Sequence, residues 1–198
     1  MKQPELLILF VRNPELGKVK TRLAASVGPI AALNIYVRLL KHTLLATQHL
    51  TAEKVVYYSD KVETDDLWPD EKYQKKLQPT GDLGDKMSAA FAAAFAEGYS
   101  SVVIIGSDCQ QLTQKIVELA FRKLQEHDVV IGPALDGGYY LLGMRHYYPK
   151  LFRDKRWSSA HVFPDTVQDV EELNLSYALL PLLSDLDYIE DLDVNLLH

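Results

Sequence analysis

One cysteine, Cys109, is all the thiol this chain carries, so neither an intrachain disulfide nor a zinc site built from several cysteines is open to it. Cations are the minority charge. The 21 Lys and Arg stand against 27 Asp and Glu, a formal net charge of −6, and general nucleic-acid binding, which needs clustered basic residues, is excluded. A small anion held by a few local cations is not. No apolar run approaches the length needed to span a bilayer. No charged-then-apolar leader opens the chain either, since Met1-Lys2-Gln3-Pro4-Glu5 leads directly into a short strand. The expectation is a cytoplasmic protein with no membrane span and no nucleic-acid partner. The glycine patterns of the common nucleotide loops are also missing. Gly17-Lys18 invites comparison with a P-loop, but position 12, where the first glycine belongs, is Arg. No Gly-x-Gly-x-x-Gly follows the first strand, and large basic side chains there would crowd a pyrophosphate turn. The six histidines show no ligand spacing, and His42, His49 and His127 read as structural.

What is present is an alternation of buried strands and amphipathic helices. A length of 198 residues, 47% of them hydrophobic, fits one domain spanning 1–198 with a substantial core. Leu6-Leu7-Ile8-Leu9-Phe10-Val11 and Ser101-Val102-Val103-Ile104-Ile105 are continuous apolar runs, too short for helices, that read as strands buried on both faces. Lys54–Ser59, Asp128–Gly132, Tyr139–Gly143 and Leu175–Leu180 read as further strands. Pro29 is well placed at the first position of a helix whose face is Ala32, Ile35, Tyr36, Leu39, Leu40 and Thr43. Alanine-rich Lys86 to Glu97 is a helix stopped by Gly98, Thr113 opens another running to Gln125, and Trp157 to Leu173 is mainly helical. The polar stretch Lys61 to Lys76 reads as a surface excursion with a short helix. The fold class is therefore α/β, with a mostly parallel central sheet and helices on both faces. Ligands in such sheets collect at the carboxyl ends of strands, here the loops after Val11, Ser59, Ile105 and Ile131.

The chemistry-bearing residues fall on those loops. Arg12, Lys18, Lys20 and Arg22 crowd the loop after the first strand, with Thr21 at a helix opening; phosphate is their natural counter-ion, since Arg grips it through two parallel hydrogen bonds and Lys acts as a point charge. Asp108, at the end of a buried strand, fits either a hard oxygen ligand for a divalent cation or an Asx turn before the next helix. Asp136 beside Gly137 and Gly138 fits a sugar ligand or general base as well as it fits an ordinary hairpin turn. Gly81 and Asp82 read first as a simple turn, with contact to a ribose or base as the alternative for Asp82. Cys109 reads as a packed residue. Asp185, Asp187, Glu190, Asp191 and Asp193 form an acidic cluster that fits a solvated face or helix N-terminal charges as well as a source of one further ligand to a metal held by Asp108.

Several ordered blocks resemble a known family. They are Phe10-Val11-Arg12-Asn13-Pro14 with Gly17-Lys18-Val19-Lys20-Thr21-Arg22-Leu23, Gly81-Asp82-Leu83-Gly84 with Met87, and Ile105-Gly106-Ser107-Asp108-Cys109. Gly132-Pro133-Ala134 with Asp136-Gly137-Gly138-Tyr139-Tyr140-Leu141, Trp157-Ser158-Ser159, and the pair Asp185-Leu186-Asp187 and Glu190-Asp191-Leu192 complete the series. It is similar to the bacterial family of proposed glycosyltransferases found beside radical-SAM and selenodomain proteins, within the nucleotide-diphospho-sugar transferase superfamily. More distantly it resembles molybdenum-cofactor and phospholactate guanylyltransferases. Gln110 departs from the proline usual in the family, and Tyr188-Ile189 from a Thr-Pro pair.

The resemblance implies a glycosyltransferase A fold. In it the first loop (Arg12, Lys18, Lys20, Thr21, Arg22) clamps phosphates, with Lys18 also catalytic, and Gly81 and Asp82 lie near the nucleoside. Asp108 binds Mg2+ or Mn2+ with help from Asp187 or Asp191, while Asp136, Gly137, Gly138 and Trp157 face the sugar or acceptor. The expected reaction is glycosyl transfer from a nucleotide-sugar to a small-molecule acceptor, with Asp136 as base if the anomeric centre inverts. Two other readings remain open: a nucleotidyltransferase using a nucleoside triphosphate and a phosphorylated acceptor, and a nucleotide-binding protein without turnover.

Overall fold

A computed structural model of the chain describes residues 4–191. Its elements are β1 (Glu5–Val11), α1 (Thr21–Val27), α2 (Pro29–Thr47), β2 (Glu53–Tyr58), β3 (Gln74–Leu77), α3 (Leu83–Ala96), β4 (Ser101–Ile105), α4 (Gln114–Lys123), β5 (Val129–Pro133), β6 (Tyr139–Met144), α5 (Val162–Glu172) and β7 (Tyr177–Leu179). The strands form one sheet in the order β3-β2-β1-β4-β6-β5-β7. Every neighbouring pair is parallel except the two made by β6, which runs antiparallel to β4 and β5.

The apolar runs of β1 and β4 become intelligible once both sheet faces are covered. Leu7, Leu9, Val103 and Ile105 point into one core with Leu23 of α1, Tyr36 and Leu39 of α2, and Val117 and Phe121 of α4. Leu6, Ile8, Val102 and Ile104 point into the other with Met87 and Phe91 of α3 and Val170 of α5. Alternate residues of one strand thus feed opposite layers, which is why neither strand shows a polar face. Among the described residues no helix is long and apolar enough to cross a membrane.

Three details differ from the sequence reading. The Lys61–Lys76 excursion contains no helix; it ends in an edge strand, β3, whose polar residues suit an exposed edge. Its anchors are Trp68 and Tyr73, both 2% exposed and packed edge to face, and Lys75, which bridges Asp66 and Asp70. Helix α3 begins at Leu83 and not Lys86, because Asp82 and Asp85 form a reciprocal capping box. Leu175–Leu180 shortens to β7, whereas the helix openings expected at Thr21 and Pro29 are both present, as α1 and α2.

Candidate active site

The carboxyl ends of β1, β2 and β4 stop at nearly the same level: Val11 lies opposite Tyr58 and Leu9 opposite Ile105. Three polar side chains lock these ends together. Tyr36, 1% exposed, accepts a hydrogen bond from the Arg12 N–H (2.8 Å) and also lies 3.2 Å from Ser107 Oγ, so helix α2 ties the first loop to the turn after β4. Burial and the nearby Asp108 push its phenol up to about 12, so it stays a neutral hydrogen-bonding hub. Gln78 donates to the Val11 and Tyr57 carbonyls, both at 3.2 Å. Asn13, 2% exposed, donates to the Lys61 carbonyl (2.9 Å) and accepts from the Asp60 N–H (3.0 Å), which fixes the loop after β2.

The C-terminal segment completes the edge. Leu183 bridges to Ala134, the Leu186 N–H donates to the Asp108 carbonyl (3.1 Å), and Tyr140 donates to the Pro181 carbonyl (3.0 Å). Asp185 and Asp187 are thereby carried to Asp108, which follows β4. Lys20 lies between. Its Nζ is 3.0 Å from Asp108 Oδ2 and 3.2 Å from Asp187 Oδ1, and Arg22 reaches Asp187 Oδ2 at 3.0 Å. The Lys20 side chain is only 4% exposed, and its backbone adopts the left-handed region at φ 47°. Burial opposes its charge, but the Asp108 and Asp187 carboxylates outweigh burial and hold the ammonium above the ordinary lysine range. Asp185 takes the opposite part: burial, then repulsion from Asp108 and Asp136, push its carboxyl up to about 7.

Asp108 and Asp185 stand where the two lobes of a cleft meet, with Lys20, Arg22 and Asp187 on the side of one lobe. The larger lobe, about 650 Å3, runs under the loops after β1, β2 and β3 and is lined by Asn13, Lys18, Ser59, Gln78, Gly81, Asp82 and Lys86. The smaller, about 410 Å3, opens toward α5 and is lined by Lys20, Thr21, Arg22, Asp136, Gly138, Trp157 and Asp187. Arg12, Leu83, Asp108, Tyr139, Ser158 and Asp185 line both lobes. Each wall has a local cause. Asp136 Oδ1 accepts the Gly138 N–H (2.8 Å) across the β5–β6 hairpin, and Gly137, at φ 86°, lies where a side chain would strike the Ala160 backbone at 2.4 Å. Its carbonyl accepts the Phe163 N–H (2.9 Å), which docks the hairpin on α5.

The expected residues take distinct places. Lys20, Asp108 and Asp187 meet directly, and Asp136 lies close enough to Asp185 to raise its pKa. Lys18 stands on the solvent side, its side chain 64% exposed and paired with Glu15 at 2.7 Å. Asp82 lines the larger lobe, but one of its oxygens caps α3 by accepting the Asp85 N–H (2.9 Å). Asp191 accepts the N–H groups of Asp187 (3.1 Å) and Tyr188 (2.8 Å) and lines neither lobe, so it shapes the acidic loop from behind. Gln110, the departure from proline, donates its amide to the Asp191 carbonyl and clamps that same loop. Asp193 lies outside the described residues. Cys109 is buried, and burial with the adjacent Asp185 charge pushes its thiol up to about 12, which leaves it inert.

Sequence reasoning missed Tyr36 and Asp185. Tyr36 falls on the apolar stripe of α2 and is indistinguishable there from a packed aromatic. Asp185 is one acid among several until the Leu186–Asp108 contact singles it out.

A divalent cation is compatible with this donor set under one condition. Among the described residues no three His, Cys, Asp or Glu side chains converge to hold a metal unaided. Magnesium, however, is usually bound by one or two carboxylates with waters and substrate phosphates. Asp108 and Asp187, with side chains 45% and 34% exposed, can supply two such oxygens provided that Lys20 gives way.

Comparison with known proteins follows the same lines. The model of the family DUF2064, described as an uncharacterized protein conserved in bacteria, matches residues 43–159. A proposed nucleotide-diphospho-sugar transferase of Desulfovibrio desulfuricans G20 is 34% identical, with 94% of this chain and 84% of that one covered and a TM-score of 0.85. At 11% identity, the inositol-1-phosphate CTP transferase of T. maritima covers 98% and 94% of the two chains with a TM-score of 0.56. A cytidylyltransferase of Leptospira borgpetersenii, 15% identical, covers 96% and 84% with a TM-score of 0.57. The last two share the fold alone. No curated protein matches the chain.

Proposed function

Since the chain belongs to the bacterial DUF2064 family and has the fold of the nucleotide-diphospho-sugar transferase superfamily, we propose that it transfers a sugar from a nucleoside diphosphate-sugar to a small-molecule acceptor. One observation carries the reading: Asp108 stands at the junction of two lobes, one walled by the β1–β3 loops and the other by Asp136 and Trp157. A donor with its nucleoside in the larger lobe and its sugar in the smaller one would lay its diphosphate across that junction. Arg12, Lys20 and Arg22 border the smaller lobe there and would take the diphosphate oxygens, stabilising the charge that develops as the glycosidic bond breaks. Bound Mg2+ or Mn2+, held by Asp108 with Asp187, would supply further stabilisation of the leaving diphosphate. Asp136 would orient the acceptor hydroxyl and, in an inverting reaction, accept its proton on the oxygen that Gly138 does not hold. The Trp157 indole would offer an apolar wall to the sugar ring.

A second reading, nucleotidyl transfer from a nucleoside triphosphate to a phosphorylated acceptor, draws on the density of cations after β1. The two differ in product. A thermal-shift panel of nucleotides and nucleotide-sugars with Mg2+ or Mn2+ identifies the donor, since a ligand at a hundred times its Kd adds about 2.7 kcal/mol of stability. Release of nucleoside diphosphate from that donor supports glycosyl transfer, and release of pyrophosphate supports the second reading. Tight binding with no slow hydrolysis of any donor would mark a protein without turnover and overturn both.

A further inference from the structure

Lys20 occupies the space that a cation shared by Asp108 and Asp187 would need. Its ammonium is buried while the carboxylates on either side of it remain open to the cleft. Arg22 covers the second oxygen of Asp187. Lys20 and Arg22 together engage both oxygens of Asp187 and one of Asp108, so these two carboxylates have little uncompensated charge to offer a divalent ion while the ammonium stays in place. We propose that Lys20 is a latch on the cation site: its ammonium holds the gap between Asp108 and Asp187 and must leave before a divalent cation enters. This deepens the nucleotide-sugar reading and rests on it, because a diphosphate is the partner that would draw the ammonium away.

The local structure suits such a movement. Lys20 sits at a left-handed position directly before α1, and a lysine ammonium on its flexible stem can be handed from carboxylate to phosphate without moving the helix. Donation of Lys20 and Arg22 to an incoming diphosphate leaves Asp108 and Asp187 uncompensated at the same moment. Cation and diphosphate are then taken up together, and neither is held firmly alone. Lys20 is in this sense a positioning residue for the cation as well as a phosphate ligand, which a plain phosphate clamp would not be.

The test is a titration of Mn2+ alone, followed by electron paramagnetic resonance of the free ion, into the wild type, Lys20→Met and Lys20→Asn. Asn adopts the left-handed backbone readily, so the second variant preserves the loop. Both variants are expected to bind Mn2+ at least tenfold more tightly than the wild type, and adding Asp108→Asn should abolish the gain. Equal or weaker binding in the folded variants overturns the latch. A second measurement uses the wild type only: labelling of Lys20 by an amine-reactive reagent, read by mass spectrometry, should rise at saturating Mn2+, and unchanged labelling counts against the proposal. Neither experiment contains nucleotide, so their failure removes the latch alone, whereas the nucleotide-sugar reading falls only with the donor panel.

Discussion

Gly84 and Trp157 claim the same space: a β-carbon on Gly84 would lie 2.3 Å from the indole Nε1. The second glycine of Gly81-Asp82-Leu83-Gly84 is thus explained by a contact more than seventy residues away in the chain, and not by turn geometry. The first has a nearer reason, since Gly81 has φ 110° and a side chain there would strike Asp85, the partner of Asp82 in the capping box.

Gly84→Ala therefore tests the smaller lobe selectively. Displacing the indole should change Trp157 fluorescence and lower stability by about 1–3 kcal/mol, the usual cost of overpacking. Turnover should fall while nucleoside affinity holds, because Trp157 lines only the smaller lobe, away from the lobe assigned to the nucleoside. Fluorescence spectra, melting curves, a binding titration and a turnover assay on one preparation check all four.

Arg22→Ala is expected to weaken nucleoside diphosphate far more than the nucleoside. Hydrogen bonds to charged groups are worth roughly 1.5–3 kcal/mol, so losses of ten- to a hundredfold are predicted. Lys18→Ala should have the smaller effect, since Lys18 is held by Glu15 on the solvent side. Calorimetry with the nucleoside and its diphosphate separates the cases, and equal weakening of both would assign the loop to folding.

Asp136→Asn should leave diphosphate affinity within a few-fold and cut turnover by roughly two to four orders of magnitude, the usual contribution of a positioned acid or base. The amide keeps an oxygen for the Gly138 N–H, so the hairpin survives. Normal turnover would reduce Asp136 to a turn residue.

Asp185 makes stability depend on pH in a direction opposite to that of a paired carboxylate. Its folded pKa is raised to about 7, so the folded state holds its proton more tightly than the unfolded chain, whose Asp titrates near 3.9. Its favourable contribution is complete below the unfolded value and is lost as pH rises through about 7. In chelator-treated buffer, the Tm of Asp185→Asn relative to wild type should move upward between pH 5 and pH 8. A constant difference would show that Asp185 is ionised throughout.

The sequence made much of this architecture legible because β1 and β4 carry unbroken apolar runs that only a sheet covered on both faces accommodates. It also brought Arg12, Lys20, Asp108 and Asp136 to one edge, since strand ends need no long-range information. What it hid depends on contacts across the chain. The β3 edge strand is polar and resembles a loop until Trp68 and Tyr73 pack beneath it. The ranking of Lys20 over Lys18, and of Asp185 and Asp187 over Asp191, rests on where the C-terminal segment crosses Asp108. Like charges repeated along a loop carry no mark of which one is buried.

The central claim is that Asp108 binds the cation which fixes a nucleoside diphosphate at the junction of the two lobes. Calorimetric titration of the donor's nucleoside diphosphate into wild type and Asp108→Asn, each with and without Mn2+, tests it most directly. The account predicts Mn2+-dependent binding in the wild type and, in the folded variant, weak binding that Mn2+ does not improve. Undiminished affinity with the same Mn2+ dependence in Asp108→Asn would contradict it.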